Sequence, residues 1–341
     1  MKIWFNRWFS TVTHYINMIK NNEDGKEFII YGTHPNKNSV YLQACDFAEV
    51  EPDIDGMEYL HYCLNFCLKH KIDIFIPRKE NVMISQHIER FEEIGTKVLV
   101  CPDSELMSIL DNKELTYRSI QEINENNSFL VSIPDYYIAN NIEEFKEAYK
   151  TLKEKGHTVC FKPVIGEGAK GFRVVKDNID SINDLLDNGI GYRIPYPYAC
   201  EIFSQEKKIP PLMVLEYLDG TEYSIDCLAD QDNLYAIIPR KKAGGRIREL
   251  ENNRELIKIA KDIHKKFRIP FIFNIQVKYA NGVPKLLEVN PRMSGGLHFS
   301  CLSGVNFPYL AIKLLLNEEI SVSEPFYDIK ASHLESPMII S

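Results

Sequence analysis

The sequence has no Cys-x-x-Cys pair, no apolar run long enough to span a bilayer, and no Gly-x-Gly-x-x-Gly after its first strand. Gly-x-x-x-x-Gly-Lys-Ser/Thr is also missing. These gaps argue against a thioredoxin-type redox site, a membrane-spanning helix, a dinucleotide fold and a Walker P-loop. Basic excess is lacking as well: the net charge of −8 speaks against a nucleic-acid binder. Residues 1–19 are broken by Asn6, Arg7, His14 and Asn17 and do not read as a signal peptide. There is no internal repeat and no low-complexity segment. What remains is a chain of 341 residues with 45% apolar content, long enough for two or three domains. Its eight cysteines form no framework, and Cys63 and Cys67, one helical turn apart, read as core packing in a reduced, cytoplasmic protein.

The most informative stretch is Leu286–Gly296, LLEVNPRMSGG, with its partner Phe273–Tyr279, FNIQVKY. A strand alternates sides, so Glu288, Asn290 and Arg292 share one face, opposite Leu287, Val289 and Pro291. In the partner strand Asn274, Gln276 and Lys278 share a face. Oxygen donors beside cations suit a Mg²⁺ and phosphates. Asn281-Gly282 signals a hairpin turn. A two-residue loop would pair Gln276 with Leu287, so an odd-length loop or a bulge is expected, bringing Gln276 and Glu288 to one face.

Residues 1–105 alternate strands and helices: strands at Lys2–Phe5, Glu27–Gly32, Ile72–Pro77 and Thr96–Cys101, helices at Thr11–Lys20, Met57–His70 and Asn81–Ile94. That order implies a parallel sheet covered on both sides, with ligands beyond its carboxyl ends. Ser104–Glu122 is helical and carries Asp111-Asn112-Lys113; a lysine there is ordinarily a solvated one. Residues 124–215 form an α+β lobe. In it Asn141 and Glu144 make a capping-box start and Gly156 a stop for the helix Asn141–Lys155. Thr158–Lys176 reads strand, glycine loop, strand; Gly166, Gly168 and Gly171 free backbone amides for an anion, and Lys162 and Lys170 lie within reach of it. A glycine hairpin is also a common connector. Residues 189–211, rich in proline, read as irregular.

Leu212–Leu218 is a buried strand. In Glu222–Asp230 the residues Glu222, Ser224 and Asp226 share a face. Leu234–Ala243 ends in Arg240, Lys241 and Lys242, with Arg246 and Arg248 beyond Gly244-Gly245: five cations in nine residues of an acidic protein, which points to an anionic substrate group. A charged edge strand would look similar. Helices are expected over Glu251–Phe267 and Asn306–Leu316, and a loose tail or strand from Ser321.

Taken in order, Asp111-Asn112-Lys113, FKPVIGEGAKGFRVV, VLEYLDGTEYSIDCLAD, FNIQVKY and LLEVNPRMSGG resemble the ATP-grasp superfamily. DFAEVEP and IDIFIP resemble the first domain of carbamoyl phosphate synthetase large chains, and IIPRKKAGGRIRE resembles a segment of the carboxylate–amine ligases. The resemblance implies an α/β and α+β architecture: a parallel-sheet pre-ATP-grasp domain (1–105), a helical connection with Lys113 (106–123), a lid subdomain (124–215) and a C-terminal subdomain with a Mg-binding hairpin (216–341). It also implies roles. Lys113 and Lys162 would touch the nucleotide phosphates. Gly166, Gly168, Lys170 and Gly171 would form a flap over them. Glu216, Tyr217 and Leu218 would offer backbone groups to adenine, and Glu222 would hold the ribose. Gln276, Glu288 and Asn290 would bind Mg²⁺, or Mn²⁺ in its place. Arg292, with Lys170 and Arg240, would be catalytic.

The implied reaction joins a carboxylate to an amine through an acyl phosphate, with ATP consumed and ADP and phosphate released. Alternatives are a bicarbonate-activating carboxylase or carbamoyl phosphate synthetase-like enzyme, and a silent nucleotide-binding regulator. Gln276 stands where many relatives have a second acid, and no biotin-attachment Ala-Met-Lys-Met is present. Small-molecule substrates, a homodimer paired through the first domain, and neither nucleic acid nor membrane as partner complete the expectation. A substrate wall is expected from Thr33, His34, Arg78, Glu80, Arg240, Arg246 and His298.

Overall fold

Near-continuous apolar strands demand cover on both faces, which a parallel sheet between helices provides. The computed structural model describes residues 1–126, 131–166, 170–177 and 191–334, with 337 and 339. By its internal contacts the chain forms two units. The first comprises Met1–Leu110, Thr221–Val277 and Val289–Ser341; the second comprises Asp111–Gly220 and Lys278–Glu288.

The first unit opens with β1 (Lys2–Asn6), α1 (Val12–Lys20), β2 (Ile29–His34), β3 (Phe47–Val50), α2 (Gly56–His70), β4 (Ile74–Ile76), α3 (Asn81–Gln86), α4 (Ile88–Glu93), β5 (Lys97–Val98) and α5 (Ser104–Asp111). The strands are parallel in the order β3-β2-β1-β4-β5. Central β1 has apolar side chains on both faces. Trp4 stacks on Phe66 and Phe75 at 4.3 and 4.1 Å, while Ile3 and Phe5 join the core built on α1. Cys63 and Cys67 are buried, and all eight cysteines are free thiols. The helix expected over Asn81–Ile94 is two, broken at His87.

In the second unit Asn112 interrupts the expected helical stretch. Its Oδ1 accepts from the amides of Glu114 and Leu115 at 3.0 and 3.1 Å, and so caps α6 (Lys113–Asn126). Then follow β6 (Tyr136–Ala139), α7 (Ile142–Glu154), β7 (Val159–Pro163), β8 (Arg173–Lys176), β9 (Arg193–Pro195), α8 (Tyr196–Phe203) and β10 (Leu212–Glu216), with sheet order β6-β10-β7-β8-β9. Asn141 caps α7 by accepting from the Glu144 amide at 2.9 Å. The segment expected to be irregular contains β9 and α8 instead. Pro195 and Pro197 sit at the helix start, where a missing N–H costs nothing.

The chain returns to the first unit with β11 (Glu222–Ala229), β12 (Leu234–Lys242), β13 (Arg248–Leu250) and α9 (Arg254–Phe267). It continues with β14 (Phe271–Ala280), β15 (Val283–Asn290), α10 (Leu297–Ser300), α11 (Phe307–Leu315) and β16 (Ile329–Ala331). The sheet order is β15-β14-β11-β12-β13-β16. The turn between β14 and β15 is Asn281-Gly282, with φ of 50° and 78°, the left-handed pair of a two-residue hairpin loop. The loop is therefore even, which of the two expected alternatives leaves the bulge. Pro284 and Leu286 are buried, Leu287 and Glu288 are both half-exposed, and Val289 is buried, so the phase of burial shifts within the strand as a bulge would shift it. Among the described residues no helix is long and apolar enough to cross a membrane.

Candidate nucleotide and anion sites

In the second unit the cap at Asn112 fixes where Lys113 stands. The Lys113 amide donates to Val164 O at 3.3 Å, and Asn112 bridges Ile165, tying the start of α6 to the chain leaving β7. The buried Lys113 ammonium donates to Gly166 O at 2.7 Å and lies 3.8 Å from Glu288 Oε2. Lys162, on β7 opposite Met213, donates to Leu287 O at 3.3 Å. Burial of its ammonium, with Lys113 adding repulsion, pushes the Lys162 pKa down to about 8, and Glu288 pulls the other way. Two lysines and one carboxylate thus meet, with positive charge in excess.

The sign of the Lys162 shift has consequences. From about pH 8 up to the ordinary lysine range the unfolded chain binds more protons at this group. Its contribution to stability therefore rises with pH across that window. Anion binding has the opposite dependence, because a phosphate needs the ammonium charged. Nucleotide affinity is expected to fall as pH rises through about 8. Calorimetry of ADP binding in buffers of different ionisation enthalpy should register net proton uptake above that pH and none near neutrality.

Beside this group lies the end of β10. Buried Glu216 accepts from the Asp135 amide at 3.0 Å and from Lys285, and it stands 3.4 Å from His157 Nδ1. Its carboxylate is thus fully engaged. The Glu216 amide donates to Asp135 O and the Tyr217 amide to Thr158 O. Lys278 lies over the Tyr217 ring at 4.8 Å, and Leu218 is buried. Gly171, at φ 74°, leaves room that a Cβ would fill 2.8 Å from Pro163. Lys170 is exposed and Gly166 opens the loop, while Gly168 lies outside the described residues.

The first unit holds a different constellation. Asp226, wholly buried on β11, accepts at Oδ2 from Arg240 Nη2 and Nε (3.1 and 3.3 Å) and from Ser300 Oγ (2.6 Å). At Oδ1 it accepts from Asn274 Nδ2 (2.7 Å) and Ser294 Oγ (2.8 Å). Arg240, expected among the catalytic groups, is a buried partner of this carboxylate, and a Cβ on Gly296 would meet its Nη1 at 2.4 Å. Glu222, expected at a ribose, is paired with Lys242. Arg292 Nη2 donates to Asn290 Oδ1 at 3.2 Å, and Gln276 is half-buried on β14.

The expected substrate wall dissolves in part. Thr33 is buried between Trp4 and Glu51, His34 accepts from the Asn36 amide in its own turn, and Glu80 accepts from the Gly56 amide. His298 is enclosed by His14, Phe299 and His333, and burial drives its pKa down to about 3, so it is neutral. Asp226 was missed as a hub. The available signal was an aspartate between apolar neighbours on β11, diagonal to an arginine on β12.

Four likenesses bear on this arrangement. Residues 208–337 match the family model described as ATP-grasp in the biosynthetic pathway with Ter operon. The arginine-specific large chain of carbamoyl phosphate synthase from Geobacillus stearothermophilus is 26% identical over 242 residues, which is 68% of this chain. That match takes in 21% of the relative, so the chain spans about a fifth of its length. Among solved structures, an N5-carboxyaminoimidazole ribonucleotide synthetase in complex with ADP is similar at TM-score 0.66 and 14% identity, over 96% of this chain and 80% of that one. An L-amino acid ligase from Bacillus licheniformis is similar at TM-score 0.62 and 13% identity, over 92% and 74%. Sequence and fold together place the chain in the ATP-grasp superfamily, similar in sequence to carbamoyl phosphate synthase large chains.

Proposed function

We propose that the protein is an ATP-dependent ligase that joins a carboxylate to an amine through an acyl phosphate. The observation carrying this reading is the meeting of Lys113, Lys162 and Glu288, a partly buried site with more cation than anion. A carboxylate does not acylate an amine in water unless its oxygen is made a leaving group. Transfer of the γ-phosphoryl of ATP to that oxygen does this and releases ADP. The amine nitrogen then forms the new C–N bond as phosphate leaves, and the amine loses a proton.

In this reading Lys113 and Lys162 hold the nucleotide phosphates, with Lys170 over them. Backbone groups of Glu216, Tyr217 and Leu218 meet the base, and Glu222 holds the ribose once it exchanges Lys242 for it. Arg292 steadies the transferring phosphoryl group, while Arg240 acts from behind, held by Asp226. Glu288, with the amide oxygens of Gln276 and Asn290, is an oxygen-only donor set of the kind that suits Mg²⁺. In this structure Glu288 faces Lys113 and Asn290 faces Arg292, so two of the three are already turned to positive groups. Bound Mg²⁺ would supply neutralising charge to the phosphates. Orientation of two substrates against the acyl phosphate supplies several kcal/mol more, on the order of what bound geometry gives intramolecular reactions.

Phosphate release from MgATP, screened over amino acids paired with small acids, tests the reading. Release that needs both a carboxylate and an amine is the expected result. The sequence likeness to carbamoyl phosphate synthase favours bicarbonate activation as the second reading, and ADP formation with bicarbonate and no amine would select it. Nucleotide binding without turnover on any acceptor would overturn both.

A further inference from the structure

The sheet face built by β11, β12 and β13 has a charge imbalance that the ligase reading does not use. Ser224 stands opposite Arg240, Lys242 opposite Arg248, and Arg240 opposite Leu250. Glu222, Ser224 and Asp226 therefore share a face with Arg240, Lys242 and Arg248. Asp226 neutralises Arg240 and Glu222 neutralises Lys242. Arg248 has no carboxylate in hydrogen-bond or ion-pair contact among the described residues; Glu222, already paired with Lys242, acts on it only at longer range. The opposite face has no such surplus: Lys241 is held by Glu249 and Glu251, and Lys330 also meets Glu249.

The geometry of Arg248 narrows what would answer that surplus. Its Nη1 donates to Ile247 O at 2.8 Å and Gly245 O at 3.4 Å, carbonyls of its own loop, which fixes the guanidinium. Nε and Nη2 keep their hydrogens without a protein acceptor among the described residues. They form the parallel edge that grips a carboxylate with two bonds. The side chain is half-buried, and burial, then Arg240 nearby, lower its pKa from the ordinary arginine value against an opposing pull from Glu222. A solvated surface arginine would show neither the fixed edge nor the repulsion. Three cations against two carboxylates leave a single positive charge, which matches one carboxylate better than a doubly charged phosphate.

We propose that Arg248 binds a substrate carboxylate other than the one that reacts, so that one substrate is an amino acid or a dicarboxylic acid. The proposal rests on the ligase reading for the word substrate, but the binding it requires does not need turnover.

The test uses the full chain without nucleotide. Calorimetry compares matched acids and amides: succinate with succinamate, glutamate with isoglutamine, phenylalanine with phenylalaninamide. For at least one pair the acid should bind about tenfold more tightly, the size of a charge-assisted hydrogen bond. Arg248→Gln should abolish that ratio and Arg248→Lys should restore part of it, with circular dichroism showing each variant folded. In turnover the loss should appear in KM rather than kcat. If no pair is discriminated, or if Arg248→Gln keeps the ratio, the assignment is wrong. A binding ratio that depends on Arg248 without phosphate release on any acceptor would keep the site and remove the ligase reading.

Discussion

Glu288→Gln is expected to lower MgATP-dependent phosphate release at least about a hundredfold while the fold is retained. The side chain is half-exposed, and glutamine is its isostere, so packing is kept. What changes is charge. Glu288 is the acid that offsets Lys113 and Lys162, and it raises the Lys162 pKa against burial. Without it that pKa falls below about 8, and a larger share of Lys162 is neutral at any pH near it. Two readouts follow from one substitution. Turnover falls because a hard, charged ligand for Mg²⁺ is gone. The pH at which ADP binding weakens moves to more acid values because Lys162 deprotonates earlier. A general loss of stability would lower activity without moving that midpoint. Near-normal phosphate release by Glu288→Gln would remove the metal assignment, whatever the midpoint did.

Local rules and long-range contacts divided the legibility of this chain. The alternation of Glu222–Asp226 could be read directly, because period two is a property of the backbone itself, whereas β15 ends at Asn290 and the parity expected to run on to Arg292 stops there. The cap at Asn141 and the glycine stop at Gly156 were equally local. Lys113 was not. In the sequence it is one more helical lysine, and its burial comes from the contacts of Asn112 and Lys113 with Val164, Ile165 and Gly166, some fifty residues on. The short strands Phe47–Val50, Tyr136–Ala139, Arg248–Leu250 and Ile329–Ala331 were missed or left vague for the same reason. Each is too short to show periodicity and exists because a neighbour offers it a ladder. Of the two ways to bring Gln276 and Glu288 to one face, an odd loop or a bulge, the two-residue turn excludes the first, and the burial phase shifts at Leu287–Glu288, where parity alone could not place it. In residues 189–211 proline was taken as a breaker, although at the first turn of α8 it starts a helix.

Asp226→Ala should be the most destabilising single change in the first unit, at about 3–5 kcal/mol. The carboxylate receives five hydrogen bonds, from Arg240, Asn274, Ser294 and Ser300, and so joins β11, β12 and β14 to the turn and helix after Arg292. Its removal leaves Arg240, itself only 4% exposed, as a buried cation with no counter-charge. The cost comes mainly from that orphaned charge and less from the lost pair, since desolvation offsets much of what a buried pair gains. The distinction is measurable. Asp226→Leu combined with Arg240→Met removes both charges and should recover most of the stability lost by Asp226→Ala in urea denaturation. Asp226→Asn should fall between, keeping the shape while presenting an amide where Arg240 needs an acceptor. If the double variant were no more stable than Asp226→Ala, the network would matter through its hydrogen bonds to Ser294 and Ser300 rather than through charge. Activity separates the two roles further. The charge-free core should fold yet fail in turnover, because Arg240 then no longer supports the Ser294–Gly296 turn that follows Arg292.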